Sequence, residues 1–302
     1  MYDIIIIGAG PAGLTAALYA LRADKTVLVL EKGTFGGQIT YSPQIENYPG
    51  FATMSGNEFA DKLVDQVLSQ GADIEMETVT EIRDNGATKT VVTEDGEHEA
   101  KAVIIATGVK HRQTGLAKEN ELVGEGISYC AVCDGAFFKG QTVAVLGGGN
   151  SALQEAVLLS EGCKKVYVIQ NLDFFTGEAR LVEKLKEKDN VEFIMGTVIT
   201  ELKGDTTLNG LKLKKEADGS ESDLEVDGLF VAIGLIPNNT AFADIAGLDE
   251  WGYIDSDESC VTKTAGVFVA GDCRKKQIRQ ITTAAADGSV AALAACRYID
   301  SL

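Results

Sequence analysis

The N-terminal part of the chain alternates between apolar runs and a glycine-rich turn. Residues 2–7 read YDIIII, a composition typical of a buried strand, and residues 8–13 read GAGPAG. Residues 14–23, LTAALYALRA, repeat apolar positions at helical spacing, and residues 26–32, TVLVLEK, return to a strand pattern. The order predicted is therefore strand, tight turn, helix and second strand.

The same arrangement returns later in the chain. Residues 142–171 read TVAVLGGGNSALQEAVLLSEGCKKVYVIQN, and VIIATGVKHR at 103–112 is echoed by LFVAIGLIPN at 229–238. Two copies of one unit predict an α/β fold with two Rossmann-like, three-layer dinucleotide-binding domains. The turn-rich stretches 76–103 and 191–227 predict a small antiparallel insertion in each. The alanine-rich C-terminal helix is expected to return to the first unit, because the second is already complete.

The glycine turn of the first unit has the spacing of a dinucleotide-binding fingerprint. Gly8, Gly10 and Gly13 follow a strand and open a helix, and Glu31 stands at the end of the second strand. These glycines permit a tight turn and the close approach of a pyrophosphate, and the acidic residue accepts hydrogen bonds from a ribose. In the second unit, the equivalent positions are Gly147, Gly149 and Ala152. Gly149 and Ala152 follow Gly147 by two and five residues, which is the spacing of the first turn.

Composition and charge narrow the function classes. The 302 residues are 45% hydrophobic and carry a formal net charge of -18. Such a charge makes nucleic acid an unfavourable partner. The start of the sequence has no basic leader and the isoleucine run is too short to span a membrane, so a soluble cytoplasmic protein with no membrane partner is expected.

Six cysteines are too few and too scattered for a disulfide framework, which leaves Cys130 and Cys133, in the run CAVCDG, as the informative pair. The other four are expected to be packing residues. A metal site would need two more ligands at similar spacing, and the chain has only two histidines and no second C-x-x-C, so no metal is expected.

The motifs together resemble those of the low-molecular-weight thioredoxin reductases, two-domain flavoproteins of the pyridine nucleotide-disulfide oxidoreductase type. The resemblance covers essentially the whole chain and rests on GAGPAGLTAALYA, EKGTFGGQIT, IENYPGF, ATG, CAVCDG, GGGNSA and AGDCRKKQIRQITTAAADG, in the family's order. It implies an FAD-binding domain formed by residues 1–112 and 244–302, and a second, NAD(P)H-binding-like domain of residues 113–243. The FAD-binding residues that it implies are Gly8, Gly10, Gly13, Glu31, Gly37, Gln38, Asn47, Val79, Gly108, Gly271, Asp272, Gln280 and Ile281.

The resemblance also implies roles for the cysteine pair, with thioredoxin as the partner and a homodimer as the assembly. Cys133 would face the flavin and Cys130 would attack the disulfide of thioredoxin. A thiolate in a C-x-x-C motif is commonly stabilised relative to free cysteine. Asp134, which follows directly, can act as a general acid toward the leaving thiolate. A non-catalytic flavin redox sensor is the alternative from another class, and Asp134 favours catalysis over it.

The end of the second strand in the second unit departs from the family. NADPH-dependent members carry a His-Arg-Arg run there, whereas this chain has Gln170, Asn171 and Leu172. Neutral amides offer a 2′-phosphate no compensating charge. The pattern resembles the ferredoxin-dependent flavin thioredoxin reductases, whose second domain keeps the fold without a working nucleotide site. An ordinary NADPH- or NADH-dependent reductase with an atypical ribose pocket, in which Asp173 serves the ribose of NADH, remains the alternative.

Ferredoxins are acidic, so a chain at -18 needs a local basic patch to dock one. The candidate patch is Arg274, Lys275, Lys276 and Arg279, in the polar loop before the C-terminal helix. The sequence therefore predicts an FAD-dependent thioredoxin reductase that receives electrons from reduced ferredoxin.

Overall fold

The computed structural model describes residues 1–42 and 44–302. Its strands are β1 Tyr2–Ile7, β2 Val27–Leu30, β3 Asp73–Glu75, β4 Val79–Asp84, β5 Lys89–Thr93, β6 Glu97–Ile105, β7 Val109–His111, β8 Ile127–Ser128, β9 Thr142–Leu146, β10 Lys165–Ile169, β11 Val191–Ile194, β12 Thr197–Lys203, β13 Gly210–Lys215, β14 Glu221–Leu224, β15 Gly228–Val231, β16 Leu235–Pro237 and β17 Val267–Val269. Its α-helices are α1 Pro11–Arg22, α2 Gly56–Ser69, α3 Glu119–Leu122, α4 Ala131–Asp134, α5 Asn150–Ser160, α6 Ala179–Lys186, α7 Ala243–Ala246 and α8 Ile281–Asp300. Short 3₁₀ helices span Gly37–Tyr41, Gly135–Phe138, Thr240–Phe242 and Gly271–Cys273.

The chain divides into two compact units. The first comprises Met1–Lys110 and Ile236–Leu302, and the second His111–Leu235. The sequence analysis places residues 236–243 in the second part, whereas the structure groups them with the first. The reason is packing: Phe242 is 3% exposed and belongs to the apolar core that also contains Ile5 and Ile7 of β1.

The first unit is built on a seven-stranded sheet in the order β3-β2-β1-β6-β5-β4, with β17 also paired to β6. Strands β1, β2, β3 and β17 run parallel to their neighbours, as in a dinucleotide-binding fold. The antiparallel pairs β4–β5 and β5–β6 form the predicted insertion, which continues the main sheet. The long strand β6 therefore serves both parts.

Apolar cores lie on both faces of this sheet. Helices α1 and α8 supply alanines to one face, where Ala16, Ala17, Ala291 and Ala292 are fully buried against the sheet. Such small side chains let the two helices approach closely, and a Cβ added at Gly288 of α8 would collide with the backbone of α1. The turn that precedes α1 is therefore held by a tightly packed helix pair.

The second unit repeats the parallel architecture. Its sheet has the order β11-β10-β9-β15-β8, and each pair is parallel. The predicted insertion forms a separate antiparallel sheet, β12-β13-β14. Apolar residues of α5 and α6 cover one face of the parallel sheet, and those of the antiparallel sheet cover the other. The prediction of two Rossmann-like α/β folds with small antiparallel insertions is confirmed.

No helix within residues 1–42 and 44–302 combines the length and apolar character that a bilayer span requires.

Candidate functional site

The fingerprint turn of the first unit connects β1 to α1 through three glycines. Gly8 has a φ of 112°, and a Cβ there would fall on the carbonyl oxygen of Ala106. A Cβ at Gly13 would in turn fall on the carbonyl oxygen of Gly8. Gly10 meets only a distant neighbour, so its surface is open, and α1 starts at Pro11 directly after it. The turn therefore presents bare backbone and a helix N-terminus, the arrangement that accepts a pyrophosphate.

Glu31 follows β2 and reaches back to the same turn. One carboxylate oxygen accepts a hydrogen bond of 2.8 Å from the backbone N–H of Ala9, and the other accepts one of 2.8 Å from Gly33. These bonds fix the carboxylate beside the turn. Each oxygen keeps a second lone pair, so the carboxylate can still accept hydrogen bonds from a ribose.

Three further sequence-predicted residues are tied to the first unit by their own contacts. A Cβ at Gly37 would lie 3.7 Å from the Cα of Gly10, so this segment borders the turn. The side-chain amide of Gln38 donates a hydrogen bond to the carbonyl of Val109. Asn47 donates one of 3.3 Å from Nδ2 to the side-chain oxygen of Gln280. The last bond joins two of the residues that the resemblance assigns to the flavin.

Other predicted residues lie at element boundaries. Gly108 has a φ of 64° and open space where a side chain would stand. Ile281 is the first residue of α8, whose N-cap is Gln280. Val79 begins β4, three strands from β1 in the sheet order β1-β6-β5-β4, and the described contacts do not connect it to the turn.

Asp272 is the predicted flavin-binding residue whose side chain is least satisfied by protein groups. Its Oδ1 atom is buried and has no hydrogen-bond partner among the described residues. Burial raises the pKa of Asp272 to about 6, although Lys276 and Arg279 oppose the shift. The preceding Gly271 has a φ of 82° and approaches α1 so closely that a Cβ would lie 2.8 Å from that of Ala12. A buried oxygen without a protein partner can accept a hydrogen bond from a hydroxyl group of a polar ligand.

The second unit holds a disulfide between Cys130 and Cys133, whose Cα atoms are 5.3 Å apart. Cys130 caps α4, and its Sγ accepts a hydrogen bond of 3.2 Å from the backbone N–H of Cys133. The Ser128 hydroxyl accepts one of 3.0 Å from the N–H of Cys130. Val132, between the two cysteines, is 58% exposed. The turn between the cysteines is therefore exposed at Val132, both cysteines are half-buried, and a donor is already directed at one sulfur.

Two carboxyl groups lie behind this disulfide. Asp134 accepts a hydrogen bond of 2.5 Å from the Ser128 hydroxyl on Oδ2, while its buried Oδ1 has no partner among the described residues. Burial raises the pKa of Asp134, and the bond from Ser128 only partly offsets this. The sequence analysis did not single out Glu155 of α5, whose pKa is raised by burial to about 7. The signal was a lone carboxylate among the buried positions Ala152, Ala156 and Leu159 of one helix.

The chain is similar in sequence and structure to known proteins over nearly its whole length. The sequence profile described as pyridine nucleotide-disulphide oxidoreductase matches residues 2–288. A thioredoxin reductase of Listeria monocytogenes is 43% identical over 100% of this chain and 95% of its own length. One from Bacillus subtilis is 39% identical over 100% of this chain and 96% of its own. The crystal structure of thioredoxin reductase from Streptococcus pyogenes superposes with a TM-score of 0.96 at 39% identity, covering 100% of this chain and 99% of that one. The chain belongs to the thioredoxin reductase family.

The fingerprint turn of the second unit is intact in this thioredoxin reductase family member. Gly147 has a φ of 136°, and a Cβ there would fall on the carbonyl oxygen of Ala232, as at Gly8 in the first unit. The following loop closes on this turn, because the backbone N–H groups of Thr176 and Gly177 donate to the carbonyl of Gly148 at 2.9 and 3.0 Å.

The ribose end of this second turn is neutral. Gln170 stands at the end of β10, is 6% exposed, and packs its side chain against Gly148. Its Nε2 donates a hydrogen bond of 3.3 Å to the carbonyl of Phe174. Arg180, the first cation after Gln170 along the chain, is exposed and pairs with Glu178 at 2.5 Å. The amide at the ribose position is thus engaged within the protein.

The prediction of an exposed basic patch on this thioredoxin reductase family member is wrong for two of the four residues. Arg274 and Lys276 have side chains that are only 4% and 6% exposed, and both pair with the buried Asp287 of α8. Lys275 is exposed and pairs with Asp255 at 3.4 Å, and Arg279 stacks 4.3 Å from the ring centre of Tyr253. The inward pair stabilises the loop and is not available to an acidic partner.

The four remaining cysteines, Cys163, Cys260, Cys273 and Cys296, are buried free thiols. Burial raises the pKa of Cys260 to about 12, which suits a packing residue. Within the described ranges 1–42 and 44–302, no cluster of three or more histidine, cysteine or acidic side chains is arranged to hold a metal ion.

Proposed function

We propose that this protein is an FAD-dependent thioredoxin reductase that receives its electrons from reduced ferredoxin. The thioredoxin reductase part is carried by the Cys130–Cys133 disulfide, which lies at a turn exposed at Val132, in a chain that matches proteins named thioredoxin reductase over its full length. The ferredoxin part depends on the neutral end of β10 alone, because the predicted docking patch is partly buried. The proposed assembly is a cytoplasmic homodimer.

FAD is proposed for the first unit. The bare backbone at Gly8 and Gly13 would face the pyrophosphate, Glu31 the adenosine ribose, and Asp272 the ribityl hydroxyls. The orphaned Oδ1 of Asp272 and the open surface at Gly10 support the fit. When bound, a flavin accepts electrons singly and passes them on as a pair, which suits a junction between a one-electron carrier and a disulfide.

The protein's own residues then handle the sulfur chemistry. An electron pair breaks the S–S bond, and Asp134 gives a proton to one of the two sulfurs. The N–H of Cys133, 3.2 Å from the Sγ of Cys130, stabilises negative charge on that sulfur. The Cys130 thiolate attacks a sulfur of the thioredoxin disulfide and forms a mixed disulfide. Cys133 then attacks Cys130, which restores the internal bond and releases reduced thioredoxin.

The proposed donor follows from what the second unit lacks. A 2′-phosphate is recognised by basic side chains at the end of the second strand, and here that position holds Gln170 with its amide bonded to the Phe174 carbonyl. The first cation after Gln170 along the chain, Arg180, is paired with Glu178. Losing several charge-assisted contacts, each worth about 1.5–3 kcal/mol, weakens binding by orders of magnitude.

The second candidate is a thioredoxin reductase that uses NADH or NADPH through an atypical ribose pocket. The intact turn at Gly147 favours it, since the fold would still accept a pyrophosphate. Steady-state reduction of thioredoxin under anaerobic conditions separates the two. We expect turnover with reduced ferredoxin and at most a trace with either nucleotide at micromolar concentration. Efficient, saturable turnover with NADPH or NADH would replace the ferredoxin proposal, and no thioredoxin reduction with any donor would refute the enzyme itself.

A further inference from the structure

A small polar cluster lies directly behind the disulfide within the second unit. It comprises Ser128 of β8, Asp134 of α4 and Glu155 of α5. Helix α4 packs closely on α5, because a Cβ added at Gly135 would lie 3.1 Å from the Cδ2 of Leu159. Ser128 connects the cluster to the disulfide: its hydroxyl accepts from the Cys130 N–H and donates to Asp134.

Glu155 is the member of the cluster without an obvious structural purpose. Its Oε2 is buried and has no hydrogen-bond partner among the described residues, and it shares its helix face with buried apolar side chains. The backbone N–H of Ala131, the residue after Cys130, donates to its carboxylate. A buried carboxylate with one unpaired oxygen is costly, so a purely structural site would favour an apolar residue.

The charges around Glu155 do not compensate it. The charged group that acts on it is the Asp134 carboxylate, which is of like sign. Helix α6 also packs on α5, and its charged groups have other partners: Lys186 pairs with Glu183, Arg180 with Glu178, and Lys184 acts on Glu161. Two neighbouring half-buried carboxyls, each with one buried and unpaired oxygen and no cation paired to them among the described residues, do not readily ionise together, and such a pair titrates as a unit.

We propose that Glu155 is a positioning residue that shares one proton with Asp134, and so keeps an acid ready behind the Cys130–Cys133 disulfide at neutral pH. The inference deepens the proposed function, since it assigns how the sulfur chemistry obtains its proton. Ser128 occupies Oδ2 of Asp134, which leaves Oδ1 to carry the shared proton.

An external thiol opens the Cys130–Cys133 bond by thiol-disulfide exchange. The attacking thiolate forms a bond to one sulfur, the S–S bond breaks, and the electron pair stays on the departing sulfur. The proton held by the carboxyl pair moves to that sulfur, which leaves both carboxyls ionised. When the internal disulfide closes again, the thiol proton returns to the pair. An acid whose pKa lies close to that of the thiol transfers its proton most effectively.

The test uses reduction of the internal disulfide by dithiothreitol in the flavin-loaded protein, followed by alkylation and mass spectrometry. It needs neither thioredoxin nor ferredoxin, so its failure is separate from failure of the proposed function. With Glu155→Gln, Asp134 loses its like-charged neighbour and its titration moves down in pH. The variant-to-wild-type rate ratio should be near one at pH 5 and fall about tenfold by pH 8 for a shift of one pH unit. A ratio that is constant with pH would overturn the proposal, because a structural defect acts at every pH.

Two further arms keep the test decisive. Glu161→Gln is the matched control, because Glu161 ends the same helix but is exposed and pairs with Lys188 at 2.6 Å; its ratio should stay near one. In Asp134→Asn, infrared spectroscopy should show the carbonyl band of protonated Glu155 disappearing at a lower pH than in the wild type, since coupling between two groups is reciprocal. An unchanged midpoint would overturn the proposal independently of how the Glu155 variant folds.

Discussion

Replacing Asp287 with asparagine should destabilise the first unit strongly. Its carboxylate, on α8, accepts hydrogen bonds of 2.9 and 3.0 Å from Arg274 and 2.8 Å from Lys276, whose side chains turn inward from the loop before that helix. The variant leaves two cations with side chains only 4% and 6% exposed, and the charged partner that Arg274 keeps is the exposed Glu258, 4.0 Å away. Breaking a buried ion pair in this way costs about 3–5 kcal/mol.

The dependence of this stability on pH has a defined sign. Burial alone would raise the pKa of Asp287, but the hydrogen bonds from Arg274 and Lys276 outweigh it and hold the pKa below its usual value. A carboxyl whose folded pKa is lowered contributes stability above its unfolded pKa, about 3.9, and loses it as the pH falls through the folded value. The difference between wild type and Asp287→Asn should therefore be full at pH 7 and shrink only in strong acid.

Denaturant unfolding followed by circular dichroism measures this difference, with Lys275→Met as the matched control. Lys275 lies between the two buried cations in sequence, yet its side chain is 59% exposed and its ion pair with Asp255 is loose. Exposed pairs contribute about 0–1 kcal/mol, so the control should stay close to wild type. A loss below about 1 kcal/mol for Asp287→Asn, or an equal loss for Lys275→Met, would refute the assignment of the buried cluster.

Three other predictions concern the sites themselves. Cys130→Ser and Cys133→Ser should each abolish thioredoxin reduction while flavin stays bound. A long-wavelength charge-transfer band in Cys130→Ser alone would support Cys133 as the flavin-facing thiol, and the opposite pattern would reverse the roles. Gly13→Ala should purify with little FAD, because its Cβ would fall on the Gly8 carbonyl oxygen, and full flavin content would contradict the proposed cradle. Glu155→Gln should raise the free energy of unfolding by about 3 kcal/mol at pH 8 and leave it unchanged near pH 4. Burial raises the folded pKa of Glu155 from 4.5 to about 7, so the cost of ionising this carboxyl appears only as the pH rises through that window. Equal effects at the two pH values would count against this reasoning.

The periodic parts of the fold were accessible from sequence because each is a local pattern. Apolar runs such as residues 2–7 are strands, and glycines at fixed spacing permit one turn. Glu31 was identified for the same reason: its distance from Gly8 along the chain reflects one strand–helix–strand unit, and the structure brings its carboxylate to the turn.

The orientation of the loop cations was not accessible in this way. In the run from Arg274 to Lys276, alternate side chains turn inward because Asp287, more than ten residues later on α8, lies beneath them. A basic run in a polar loop is equally compatible with an exposed patch. Nothing within the run itself distinguishes a side chain that has a buried partner from one that has none.

Glu155 was missed for a related reason. A single carboxylate in an apolar helix is noticeable, but its meaning depends on Asp134, which belongs to another element and comes to it only through the packing of α4 on α5. Similarly, residues 236–243 follow a strand of the repeated unit in sequence, and only the burial of Phe242 in the first core assigns them to the other unit. Tertiary contacts between distant segments carry this information.

The most direct test of the central claim follows flavin absorbance in a stopped-flow instrument under anaerobic conditions. The oxidised protein is mixed separately with reduced ferredoxin, with NADPH and with NADH, each at micromolar concentration. The proposal expects rapid bleaching with ferredoxin alone, because Gln170 leaves the second turn without a partner for a 2′-phosphate. Fast, saturable bleaching by NADPH, with none by ferredoxin, would contradict it.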